Sequence, residues 1–152
     1  MSAAQGLWYE ELSPGQSWLS PCAPVDEASV IGFATKWDPQ PFHIDPAAAR
    51  QTLFGGLSGS GLQTLMISYR LYYDTAVLNG TALAGLGFDE VRFLKPLRPG
   101  DVLQVRTTVR SMRPTSKPDR GMVVLKLETF TLREQIFSMD LLALVSRRPP
   151  AS

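Results

Sequence analysis

The sequence predicts an α+β fold in which one long apolar helix packs against a curved antiparallel sheet. Two observations carry this. From Leu62 to about Leu78 apolar residues fall on nearly every side of a helical wheel, the pattern of a largely buried helix. Beyond it the apolar period changes to two: Leu103, Val105, Thr107 and Val109 share one face, as do Val123, Leu125, Leu127 and Thr129, and Phe137, Met139, Leu141, Ala143 and Val145. A helical first half followed by an antiparallel meander is the expected order.

The elements follow in turn. Trp8 to Leu12 reads as a short strand, Ser13-Pro14-Gly15 as a turn, and Gln16 to Ser20 as a second strand. Asp26 to Lys36 reads as a helix, with an acidic start and apolar residues at Val30, Ile31, Phe33 and Ala34. Pro39 and Pro41 are expected to exclude helix and to extend Asp38 and Gln40. Asp45-Pro46 is an N-cap followed by proline at the first helical position, starting a short helix to about Gln51. Four glycines between Gly55 and Gly61 call for tight backbone or close approach to a neighbour. The long helix follows, closed by Asn79-Gly80. Strands are expected at 87–94, 101–112, 121–132 and 135–146, with a turn at Pro96 to Asp101 and Glu134 in a tight turn before the last strand. Arg147 to Ser152 is expected to fray.

The composition excludes several classes of function. The 152 residues fit one domain, 1–152, large enough to fold without disulfides or metals. The net charge of +1 gives no electrostatic case for nucleic acid or an anionic membrane. Eleven arginines against four lysines hint mildly at planar anion contacts. The one cysteine, Cys22, precludes an intrachain disulfide and favours a reducing compartment. One histidine and one cysteine make a zinc site an unpromising expectation. Residues 1–6 lack a signal-peptide pattern and no window has the apolar length of a membrane span, so a cytoplasmic location is expected.

The chemistry concentrates around that one histidine. His43 lies five positions after Asp38, and an imidazole-based proton transfer can occur only there. An aspartate can orient the ring, raise its basicity or act as a second base. The pair alone is better explained by a capping aspartate and a turn histidine. The Gly-rich segment adds a second component, because the unpaired N–H groups at the start of the long helix, at Gly61 and its neighbours, can receive an oxygen that gains negative charge. By itself that segment is also explained by close helix–sheet packing. No strand immediately precedes it and no GxxxxGK[ST] loop exists, which disfavours nucleotide sites.

Asp38-x-x-Pro41-x-His43-x-Asp45, an Ala-rich short helix and a Gly-rich entry into a long helix together resemble the MaoC-like, or (R)-specific enoyl-CoA hydratase, family. Val91 to Asp101 and the opening Tyr9 to Gly15 resemble the same family, so the likeness covers nearly the whole chain. It implies a hot-dog fold, a central helix wrapped by a curved sheet. It also implies hydration of a trans-2-enoyl thioester, with Asp38 and His43 activating water and the Gly61 N–H, with Ser60 beside it, polarising the thioester carbonyl. Gln40 stands where many members carry Asn, and Ser60 where many hydratases carry His. A supporting hydroxyl of the central helix aligns with Tyr69, with Ser68 adjacent.

The implied substrate is an acyl-CoA or acyl-carrier thioester, with coenzyme A entering as part of the substrate and no resident cofactor. The implied assembly is a homodimer, which exposed sheet edges would also favour. A thioester hydrolase on the same fold and a non-catalytic acyl-thioester binding module are the competing readings. Asp45 is expected to cap a helix. Arg92, Lys95 and Arg98 are either phosphate contacts or a solvated strand edge. Tyr69, Tyr72 and Tyr73 are expected mainly to pack, and Cys22 to be inert.

Overall fold

The computed structural model describes residues 4–152. Its elements are a 3-10 turn at Tyr9–Glu11, β1 (Ser17–Leu19), β2 (Ala23–Pro24), α1 (Glu27–Trp37), α2 (Pro41–Ile44), α3 (Pro46–Ala49), α4 (Gly61–Asp74), β3 (Ala82–Phe93), β4 (Val102–Pro114), β5 (Arg120–Phe130) and β6 (Gln135–Ser146). This is the expected α+β architecture, and it is the hot-dog fold: α4 lies across an antiparallel sheet of order β1-β4-β5-β6-β3, with β2 paired to β4.

Period-two burial builds the sheet. Leu103, Val105, Val109, Val123, Leu125, Leu127, Phe137 and Met139 are all essentially inaccessible. Burying one such side chain stabilises by roughly 1.5–3 kcal/mol, so the inner faces of β4, β5 and β6 dominate the core. Only these three strands form the expected meander. β3 pairs with β6 at the far edge, and the 94–101 connection crosses the sheet to β4.

Several expectations are corrected. Residues 9–11 form a 3-10 turn and no strand, because Glu11 takes the Trp8 N–H. Pro41 does not exclude helix. It occupies the first position of α2, where its missing N–H costs nothing, so His43 stands on a helical turn. α4 ends at Asp74, since the Thr75 hydroxyl takes over the Tyr72 carbonyl and Ala76 turns left-handed (φ 58°).

Nor is α4 buried all round. It buries Gln63, Thr64, Ser68, Leu71 and Tyr72, while Leu62, Met66, Tyr69 and Tyr73 form an exposed stripe. Polar groups on the inner face explain the rotation. Ser68 Oγ donates to the Thr64 carbonyl (2.7 Å) and meets Thr129 Oγ1 of β5 (2.6 Å), bolting the helix to the sheet. The chain end is held as well. Arg147 and Arg148 pair with Glu10 and Glu11, and Arg147 lies over the Tyr9 ring.

Candidate active site

Each side chain of the site is placed by the end of a helix. Asp26 caps α1 by accepting the Ser29 N–H, and Asp38 closes the same helix, its own N–H bonding Ala34. Gln40 is extended (ψ 139°), as a residue before proline should be, and α2 then carries His43 inward until it is 6% exposed. Asp45 accepts from the Ala47 and Ala48 N–H groups, which is the cap the sequence predicts.

The Gly-rich segment is stitched on both sides. Ser58 N–H donates to the Phe42 carbonyl (3.1 Å), and Gly59 N–H donates to the Leu97 carbonyl (2.7 Å). A Cβ on Gly59 would come within 2.7 Å of the Leu97 side chain, so close approach is the reason for glycine there.

Asp38 and His43 are brought together: His43 Nε2 lies 3.3 Å from Asp38 Oδ2. The other ring nitrogen, Nδ1, makes a short contact with the Ser58 carbonyl. A carbonyl can only accept, so Nδ1 carries the proton. In the neutral ring Nε2 is then a lone pair directed at a carboxylate. Two acceptors held this close need a proton donor between or beside them, and a water molecule supplies two. Ser60 Oγ donates to Asp38 Oδ2 (2.7 Å) and accepts from the Leu62 N–H (3.2 Å), so one hydroxyl caps α4 and holds the aspartate. The Gly61 N–H is next to it, in the first turn of α4, where no intrahelical acceptor exists.

Asp38, His43, Ser60 and Gly61 all line one cavity of about 560 Å³. Apolar residues, among them Phe42, Phe54, Leu62, Phe93 and Ile136, form most of its wall. Tyr69 is not brought there. It faces outward on α4, against Tyr72 and the Phe88 ring of β3. Thr64, one turn from Gly61, lines the cavity in its place. Its spacing from Gly61 (i, i+3) was the available signal. Arg98 and Lys95 also line the cavity, whereas Arg92 pairs with Glu90. Among the described residues no three His, Cys, Asp or Glu side chains cluster as metal ligands.

The family model described as "MaoC like domain" matches residues 11–129. The chain belongs to the MaoC-like family. A MaoC-like dehydratase from Rhodospirillum rubrum has the same fold with a TM-score of 0.89 and 38% identity, covering 95% of this chain and all of that one. An (R)-hydratase from Pseudomonas aeruginosa, at 23% identity, superposes with a TM-score of 0.75 over 97% of each chain, a likeness of fold. Protein MaoC of Klebsiella aerogenes is 33% identical over 75% of this chain. The chain spans about a third of that protein's length.

Proposed function

We propose that this MaoC-like protein adds water to, or removes it from, a trans-2-enoyl thioester of coenzyme A or an acyl carrier. The observation that carries the reading is the facing pair of acceptors, His43 Nε2 and Asp38 Oδ2, beside the start of α4. A water bound beside the pair, within reach of both acceptors, donates one O–H to each. As Nε2 takes one proton, the water oxygen bonds to the β-carbon and the C=C electron pair moves towards the thioester carbonyl. The Gly61 N–H receives the charge that develops on that oxygen. The acid–base pair then returns a proton to the α-carbon, so the elements of one water end in the product. Dehydration runs the same steps in reverse.

The MaoC-like dehydratase at 38% identity supports this choice of chemistry. The apolar cavity wall suits an acyl chain, with the thioester at its polar floor. We further read the protein as a cytoplasmic homodimer. Leu62, Met66, Tyr69 and Tyr73 of α4 and Phe88 of β3 are exposed, and the Tyr69–Phe88 contact (6.0 Å) joins them into one apolar surface.

The test is incubation with trans-2-butenoyl-CoA, following enoyl absorbance and free thiol together. Hydration with no thiol release is expected. Asp38→Asn and His43→Ala should each lower kcat by about a hundredfold or more, the scale of general acid–base catalysis. Thiol release without hydration would assign a hydrolase instead. No turnover over a range of enoyl chain lengths would leave a binding module.

A further inference from the structure

We propose that Arg98 is a positioning residue that selects the tautomer of His43 from a distance. The Arg98 guanidinium donates to three backbone carbonyls of one loop: Phe54 (2.5 Å), Gly56 (3.0 Å) and Leu57 (3.2 Å). The next residue is Ser58, whose carbonyl receives His43 Nδ1–H. Ser58 has no side chain committed to His43, and its peptide is directed by what precedes and follows it. Gly59 fixes the far side through the Leu97 carbonyl. Arg98 fixes the near side.

The anchor is itself rigid. Arg98 N–H donates to Asp101 Oδ2 (2.8 Å), and the Pro99-Gly100 turn is tied to Val25 by two backbone hydrogen bonds. Among the described residues no carboxylate lies within ion-pair distance of the guanidinium. Its charge is met by carbonyl dipoles instead. The bonds come from two nitrogens of a planar fork, a fixed spacing that lysine's single ammonium nitrogen does not reproduce.

This changes how the basic residues at the cavity are read. Arg98 has most of its hydrogen-bonding capacity turned to the loop and away from any substrate phosphate. Without it the 54–57 loop loses three charge-assisted bonds, and the Ser58 carbonyl is held only by the Ser58 N–H bond to Phe42 and the Gly59 N–H bond to Leu97, which leaves its direction less fixed. The ring then samples the other tautomer, with Nε2 protonated and directed at Asp38. In that form His43 cannot take a proton from water.

The catalytic consequence rests on the hydration reading, while the tautomer does not, and the experiment separates the two. The chain has one histidine, so 15N-histidine labelling gives a spectrum of His43 alone. In the parent protein a single Nδ1–H form is expected, and in Arg98→Ala a mixture of both tautomers. Arg98→Lys should give an intermediate spectrum and covers the case in which the alanine variant fails to fold. Kinetics are measured with trans-2-butenoyl-CoA and with the N-acetylcysteamine thioester, which has no phosphates. A kcat about tenfold to a hundredfold lower with both substrates, and KM near the parental value, is the expected result.

Unchanged tautomers in both variants overturn the proposal. So does a loss seen only as a raised KM for the CoA ester, which would make Arg98 a phosphate contact. A shifted tautomer in a protein with no hydratase activity would overturn the proposed reaction and leave the role of Arg98 standing.

Discussion

Ser60 performs two tasks with one hydroxyl, capping α4 and donating to Asp38. Ser60→Ala should therefore cost about 1 kcal/mol of stability through the lost cap, read as a lower Tm, and reduce kcat as well. Ser60→Asp separates the tasks. It restores a cap, so Tm should recover, but it sets a second carboxylate against Asp38, and activity should not. Gly61 makes a different demand. A Cβ there would lie 2.7 Å from the Phe93 ring, which is half exposed and can swing away. Gly61→Ala should fold with impaired turnover, and adding Phe93→Ala should recover part of it. Asp38 and His43 were legible in the sequence because the histidine is unique and the motif local. The Ser58 carbonyl and the Arg98 clamp were not, because backbone oxygens have no sequence signature and Arg98 lies more than 40 residues from the three carbonyls it holds. Tyr69 was carried over from the family resemblance by alignment, and the helix turns it away from the cavity. Eight residues past Gly61 puts it roughly 12 Å further along the axis and about 80° round.

At the scale of elements, the strands were readable wherever one face is buried, since burial enforces the period of two. β4, β5 and β6 show that alternation, whereas β3 does not. It is exposed along almost its whole length, carries three register shifts and holds Glu90 at φ 52°. The small residues Ala82, Ala84 and Gly85 give its first half little strand signal, which is why only its second half was legible. α4 was recognised as the long helix but read as buried nearly all round, because an apolar count ignores where hydroxyls find partners and so which face turns inward. The Ser68–Thr129 contact gives that rotation an energetic test. Ser68→Ala strands the buried Thr129 hydroxyl and should destabilise by about 1–3 kcal/mol in urea unfolding. The double variant Ser68→Ala, Thr129→Val should be more stable than the single one. The chain-end clasp has a pH test. Burial opposes ionisation of Glu10, but the Arg148 N–H and the Arg147 guanidinium outweigh it and hold the carboxyl below its ordinary value. A depressed carboxylate stabilises above its unfolded pKa and loses that contribution as pH falls through the folded one. Amide exchange of 147–148 should thus accelerate only on acidification below the usual carboxylate range.

For the whole molecule, the α+β class followed from periodicity, but the strand order did not, because period-two patterning says which face is buried and not which neighbour pairs. The order leaves β3 on one edge and, with α4, an apolar surface of Leu62, Met66, Tyr69, Tyr73 and Phe88. If a second copy covers it, Phe88→Asp with Tyr69→Asp should halve the mass found by light scattering. The parent Tm should also rise with protein concentration while the variant's does not. The same strand order has a consequence during synthesis. β3 leaves the ribosome before β4 and β5, yet its only partner is the last strand, β6. At about 5–20 residues per second, roughly 40 intervening residues leave β3 waiting about 2–8 seconds with both edges unsatisfied. Nascent chains of this protein should therefore be most dependent on chaperones in the interval between the emergence of β3 and that of β6.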